Sequence, residues 1–202
     1  MTEIELAVIT ADVTWVQADL LALKHAGGFY GADAAVAQAI SEGNEEAMQD
    51  FANTTQEKGY FCIDTHEKIR SCRVLFLRTN SLRNFRYEQA RSFSENAIRI
   101  ASKIVDDASH IAMTIHGPGV GLDPSIAFLA QIGGILQALA TRTYPNSLEG
   151  VSFVERDPER SRLLALLLEQ RFFGEPYSRP SPTGTTHRLV VDQLVEFYSA
   201  QR

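Results

Sequence analysis

The chain has 202 residues, 45% of them hydrophobic and 22% charged, with a formal net charge of -6. Those values describe an ordinary globular protein of one domain, or one domain plus a tail, long enough to bury a sizeable core. The acidic balance argues against non-specific nucleic-acid binding and against an anionic membrane surface as main partner, but it leaves room for a local basic pocket that holds a small anion.

In chain order, Glu5 to Ile9 reads as a short strand, and Asp19 to Leu23 as a second apolar run after the polar bend at Asp12 to Thr14. A glycine-rich loop from Lys24 to Gly31 follows. From Ala32 to Phe51 the spacing of Ala35, Val36, Ala39 and Ile40 predicts a helix, with a break expected at Gly43. Tyr60 to Ile63 and Arg73 to Leu77 are short β-rich runs that suit a hairpin or two neighbouring strands. Leu82 to Ala108 predicts a long amphipathic helix with Phe85, Phe93, Ala97, Ile100 and Ile104 near one face. Ile111 to Ile115 reads as a buried strand. It is followed by a loop with glycines at 117, 119 and 121, then by an apolar helix that begins at Asp123-Pro124. Val151 to Val154 is the last expected strand, and Asp157-Pro158 starts a helix through Leu163 to Leu168. Gly174 to Thr186 has the composition of a linker, and Leu189 to Tyr198 is an amphipathic segment suited to docking. The expected division is therefore residues 1–173 and 174–202.

Both cysteines, Cys62 and Cys72, fall in strand-like runs without a C-x-x-C pair, which reads as two reduced core thiols in a cytoplasmic protein. The opening MTEIELAVIT has acids where a secretory signal would carry bases, and the apolar run from Ile126 to Leu139 is too short for a membrane span. No cofactor or metal pattern is visible.

Alternating strands and helices point to an α/β fold with helices on both faces of a mixed or mostly parallel sheet, and such sheets bind ligands at the carboxyl ends of their strands. Both glycine loops follow strands and precede helices. There, free backbone N–H groups and the positive end of a helix dipole suit a phosphate. The spacing of Gly117-Pro118-Gly119-Val120-Gly121 matches neither the dinucleotide fingerprint nor the P-loop.

Several segments together resemble a known family. Ala11-Asp12-Val13-Thr14, followed seven residues after Asp12 by Asp19-Leu20-Leu21, resembles the G-D-I-T opening of macro domains and the strand that comes after it. Gly31-Ala32-Asp33-Ala34-Ala35-Val36 resembles the family's G-V-D-x-A-I, Gly59 to Leu77 its central strand pair, Ile115 to Gly121 its second phosphate loop, and Val151 to Asp157 its final strand. The resemblance covers residues 1–172 in order. It implies a three-layer α/β/α sandwich with a central mixed sheet, and a cleft for ADP-ribose or a related nucleotide between the two glycine loops. Carried over, Asp12 would accept from the adenine amino group beside the Val13 backbone. The backbone of Gly28, Phe29, Tyr30, Gly31 and Ala32 would meet one phosphate. The backbone of Gly117, Pro118, Gly119, Val120 and Gly121 would wrap the other phosphate and the distal ribose.

The chain also departs from the family pattern. Hydrolase members carry V-N-A-A-N where this chain has Ala22-Leu23-Lys24-His25-Ala26, so both asparagine positions are lost, to Leu23 and Ala26. Those amides help to hold the distal ribose and a catalytic water, and their loss argues against ordinary ADP-ribosyl hydrolysis. Lys24 and His25 either add charge to a phosphate site or face solvent. His116 either hydrogen-bonds a ribose, acts as a general acid or base, or braces the loop as a structural donor. Asp123 is first of all a helix cap, and Asp12 has a turn or cap role as its plain alternative. Trp15 and Tyr30 flank the loops as stacking or packing residues, and Arg78, Asn80 and Arg83 follow a strand where they could rim the pocket. The reading is a non-catalytic module that binds or senses ADP-ribose or a related, cyclic or modified, NAD-derived nucleotide. By analogy with bacterial defence proteins, it would pass occupancy to an effector domain or protein partner. The alternative is a divergent ADP-ribosyl hydrolase using His116, Asp123 or Lys24.

Overall fold

The computed structural model describes residues 2–105, 107–180 and 186–200. One eight-stranded sheet forms the middle layer: β1 (Glu3–Thr10), β2 (Leu20–His25), β3 (Tyr60–Asp64), β4 (Arg73–Arg78), β5 (His110–Thr114), β6 (Gly150–Glu155), β7 (Ser178–Pro180) and β8 (Thr186–Val190). Their order is β3-β4-β2-β5-β6-β1-β8-β7. The five inner strands β4, β2, β5, β6 and β1 run parallel, and antiparallel pairs close both edges. Among the described residues six α-helices accompany the sheet: α1 (Ala32–Ser41), α2 (Glu45–Lys58), α3 (Tyr87–Ile104), α4 (Pro124–Ala140), α5 (Pro158–Phe172) and α6 (Val191–Ala200).

Parallel strands covered on both faces need apolar side chains on both. In β2, Leu20 and Ala22 join the core beneath α3 and α4, whereas Leu21 and Leu23 join the one beneath α1 and α2. β4 alternates in the same way, with Leu75 and Leu77 on one side and Val74 and Phe76 on the other. The expected three-layer α/β/α sandwich is the observed architecture. No helix among the described residues is long and apolar enough to cross a membrane.

Local chemistry sets the element ends. The helix expected over residues 32–51 is two helices: Glu42 adopts a left-handed conformation after α1, and the Asn44 side chain caps α2 by accepting from the Ala47 amide. The long helix after β4 starts later than expected, at Tyr87, because residues 82–84 form a short 3-10 turn. Asp123 and Asp157 each accept two backbone N–H bonds at the start of α4 and α5, with proline next in line.

Two expectations are corrected. Cys72 is exposed and so is not a core thiol, whereas Cys62 is half-buried, and burial pushes its thiol up to about 11. Within the segment read as a linker, residues 178–180 form β7. Residues 186–190 form β8, which pairs along β1. Buried Tyr177, Leu189 and Val191 anchor this edge, giving a polar, proline-rich stretch a place in the sheet that its composition conceals. Residues 181–185 of that segment, and residues 201–202, lie outside the described residues. The helix expected from Leu189 begins at Val191 instead.

The closest helix pair on that face is α3 against α4. A Cβ on Gly134 would come within 2.1 Å of the Arg91 carbonyl oxygen and 2.9 Å of the Glu95 nitrogen, whereas at Gly133 the nearest atom is 3.9 Å away. Gly134→Ala must push the two helices apart and is expected to cost about 3 kcal/mol. Gly133→Ala removes a flexible residue from a helix without a clash and should be neutral or stabilising by up to about 1 kcal/mol. Urea denaturation of the two variants checks the contrast.

Candidate functional site

The carboxyl ends of the parallel strands, with the loops that leave them, enclose a cleft of about 530 Å³. Its walls come from four segments: the turn after β1 (Ala11, Asp12, Val13), the end of β2 with the start of α1 (Lys24, Tyr30, Gly31, Asp33), the β5 end with its loop (Thr114 to Gly117, Gly119, Val120) and the β6 end (Val154, Glu155, Arg156). Leu82 and Phe85 add an apolar side.

Asp12 both caps and faces the cleft. Its Oδ1 accepts from the Thr14 amide at 3.0 Å and from the Thr14 hydroxyl at 2.7 Å, and these bonds, helped by the charge of Arg156, hold its carboxyl below the ordinary value. An ionised carboxylate fixed through one oxygen keeps the other as an acceptor. Val13 is buried beside it.

Lys24 and Asp33 form a buried ion pair at the cleft floor, with Lys24 Nζ on Asp33 Oδ2. The Asp33 side chain is 2% exposed and that of Lys24 14%. Burial pushes the Asp33 carboxyl up from its ordinary value, and the Lys24 ammonium opposes the shift. Asp33 Oδ1 is buried without a partner. The pair ties the end of β2 to the first turn of α1 and so closes the first glycine loop, with Gly31 at the helix start.

The second loop hangs on α4. Gln131 is fully buried; its Oε1 accepts from the His116 amide at 2.9 Å and its Nε2 donates to the Thr114 carbonyl at 3.2 Å. Gly117 has φ +120°, and a Cβ there would lie 2.7 Å from Leu122 Cδ1, so only glycine fits the turn. Its carbonyl accepts from the Val120 and Leu122 amides, which curls the loop back on itself. The His116 ring stands edge-on to Phe93 at 4.2 Å, and its Nε2 is buried without a partner. Burial, with the Lys24 charge nearby, holds its pKa well below the ordinary value, so this imidazole is neutral at pH 7.

Of the expected site residues, Asp12, Val13, Lys24, Tyr30, Gly31, His116, Gly117, Gly119 and Val120 line the cleft together. His25, Gly28, Phe29, Pro118 and Gly121 lie outside its lining. Alternation along β2 turns His25 to the same side as Leu21 and Leu23, where it meets Phe29 at 5.0 Å, and Phe29 in turn packs on Phe76. Both side chains are therefore bracing the loop from behind. Trp15 is exposed and carries Arg70 over its ring at 5.5 Å, outside the cleft lining. Arg78 and Asn80 line a different groove, and Arg83 lines neither.

Sequence reading missed Asp33, Gln131 and Arg156 as site residues. A lone acid in the apolar opening of α1 and the first of two glutamines in the otherwise apolar α4 were the available signals for the first two. Arg156 had only its place after the last parallel strand. Among the described residues no group of three or more His, Cys, Asp or Glu side chains is placed to hold a metal ion.

No protein-family model matches the chain, and no curated protein matches its sequence. Its structure, however, resembles solved macrodomains. The Oceanobacillus iheyensis macrodomain with MES bound superposes with a TM-score of 0.65 at 15% identity, over 83% of this chain and 92% of that one. The same macrodomain with ADP gives 0.64 at 16% identity, over 83% and 92%. A Trypanosoma brucei macrodomain in complex with ADP-ribose gives 0.59 at 14% identity, over 79% and 67%. The fold is that of a macrodomain.

Removing one partner of a buried ion pair leaves the other charge uncompensated. Lys24→Met is expected to destabilise the protein by about 3 kcal/mol at neutral pH, and Lys24→Met with Asp33→Leu to recover most of the loss. Without Lys24, the folded-state pKa of Asp33 rises further above its unfolded value of 3.8. The folded state then holds a proton that the unfolded state has released, so stability falls as pH rises above about 4. Urea midpoints of Lys24→Met and the unsubstituted protein at several pH values check this; the gap between them should widen as pH rises.

Proposed function

We propose that the protein is a non-catalytic binding module for ADP-ribose or a related NAD-derived nucleotide. The observation that carries this reading is a cleft between two glycine loops, at the carboxyl ends of parallel strands, on a macrodomain fold whose solved neighbours hold ADP and ADP-ribose. Its volume lies within the range of small-molecule sites. In this reading Asp12 accepts from the adenine amino group through its uncommitted oxygen, beside Val13. The amino end of α1 at Gly31 and the second loop at Gly117 and Gly119 supply backbone donors and dipole for the two phosphates. Lys24, His116 and Asp33 then surround the distal end of the ligand.

The same residues argue for binding rather than turnover. A general base must reach the proton that it takes. Asp33 is committed to Lys24, Asp123 to the amides of Ser125 and Ile126, and Glu155 to Arg160 at 2.7 Å. His116 is 2% exposed. The route from occupancy to an effector domain or protein partner, in this reading, is the C-terminal part of the chain, residues 174–202.

One observation favours a second reading, a divergent ADP-ribosyl hydrolase. His116 Nε2 and Asp33 Oδ1 both lack partners, although both residues line the cleft. A reacting hydroxyl or water would satisfy both.

Calorimetry with ADP-ribose, cyclic ADP-ribose and NAD tests binding; absence of heat with all three overturns both readings. Chromatography of recovered ligand separates them, because conversion to a new product supports the hydrolase. Asp12→Ala is expected to weaken binding by about 1–3 kcal/mol, and unchanged affinity in calorimetry would remove Asp12 from the site.

A further inference from the structure

A second groove, of about 410 Å³, lies on the other side of the chain segment that follows β4. It is bounded by the carboxyl end of α2, the edge strand β3, the end of its neighbour β4, and one face of α3 from Gln89 to Ile100. Lys58, Arg78 and Arg99 all line it, and no aspartate or glutamate does. The chain as a whole carries 25 acidic residues against 19 Lys and Arg, so this clustering runs against its composition.

The three cations are not balanced by nearby acids. Arg78 Nη1 donates to the Gln56 carbonyl at 2.6 Å, and Arg99 Nη2 to Asn96 Oδ1 at 2.6 Å. Among the described residues none of the three forms an ion pair. Each guanidinium has five N–H donors in a planar fork, so one bond apiece leaves donors for an anion. Such forks match the oxygens of a phosphate. Asn80 adds an amide, and half-buried Tyr60 adds a ring on which a base can lie.

We propose that this groove is a second ligand site, which takes the phosphate group of a mononucleotide-sized phosphate ester through Arg78, Arg99 and Lys58. It does not depend on what occupies the first cleft. The two are nevertheless neighbours: residues 79 and 80 line the groove, residues 82 and 85 line the cleft, and Phe93 of the groove meets His116 of the cleft.

The test is a two-dimensional amide NMR titration of the whole chain with AMP, adenosine and inorganic pyrophosphate. AMP and pyrophosphate are expected to shift the amides of Ser92, Asn96 and Arg99, and adenosine is not. Arg99→Gln, an exposed change that keeps the helix, should weaken AMP at these amides by about tenfold and leave shifts at Gly31 and Gly117 as they were. Asp12→Ala should leave the groove affinity unchanged, which keeps failure of the cleft reading separate from failure of this one. The proposal is overturned if AMP shifts only cleft amides, if adenosine shifts groove amides as AMP does, or if Arg99→Gln has no effect there.

Discussion

The buried contact between Lys24 and Asp33 is the constraint from which the candidate site follows. Two charges are removed from water at the bottom of a cleft, which is tolerable only because they meet. Their meeting fixes the end of β2 against the first turn of α1. The glycine loop between them then has little freedom in where it runs, and the amino end of α1 comes to the cleft edge. The pair also sets the local electrostatics. Its ammonium and the surrounding burial keep His116 neutral, and the same ammonium opposes the rise that burial imposes on the Asp33 carboxyl. One interaction therefore shapes the first glycine loop and sets the electrostatics of the groups beside it.

The second loop depends on a different kind of contact. Gln131 is an amide inside an apolar helix, and it is satisfied by the backbone of β5 and the residue that leaves it. That bond transmits the position of α4 to the loop. The position of α4 is in turn set by α3, because the bare backbone at Gly134 lets the two helices approach until Arg91 fills the space. A helix contact on the sheet's far face therefore decides where Gly117 and Gly119 stand.

The segment between β4 and α3 belongs to two cavities at once. Its first residues face a groove rich in Arg and Lys, and its later ones, Leu82 and Phe85, give the cleft its apolar wall. The same short piece of chain, with its 3-10 turn from Leu82 to Asn84, therefore walls both cavities.

The sequence by itself determined the alternation of strands and helices, both glycine loops, and the caps at Asp123 and Asp157. These features depend on periodicity and local hydrogen bonding, and both are written within a few residues. Its resemblance to macro domains, and not any local rule, pointed to a cleft that includes Asp12, His116 and Gly117, and to Leu23 and Ala26 at the positions of the family's hydrolase asparagines. Tertiary structure alone decided the rest. Lys24 and Asp33 are separated by a loop, and no local rule says that they meet. His25 looked as exposed as Lys24 until strand alternation placed it against Phe29. Thr186 to Val190 became a strand only because β1 offered an open edge, and pairing with a distant strand leaves no periodic signature in five residues. Arg78 and Arg99 face one groove because the edge of the sheet and α3 bring them there; it is a fact of packing, since long-range contacts are fixed by the whole core and not by their own neighbours in the chain.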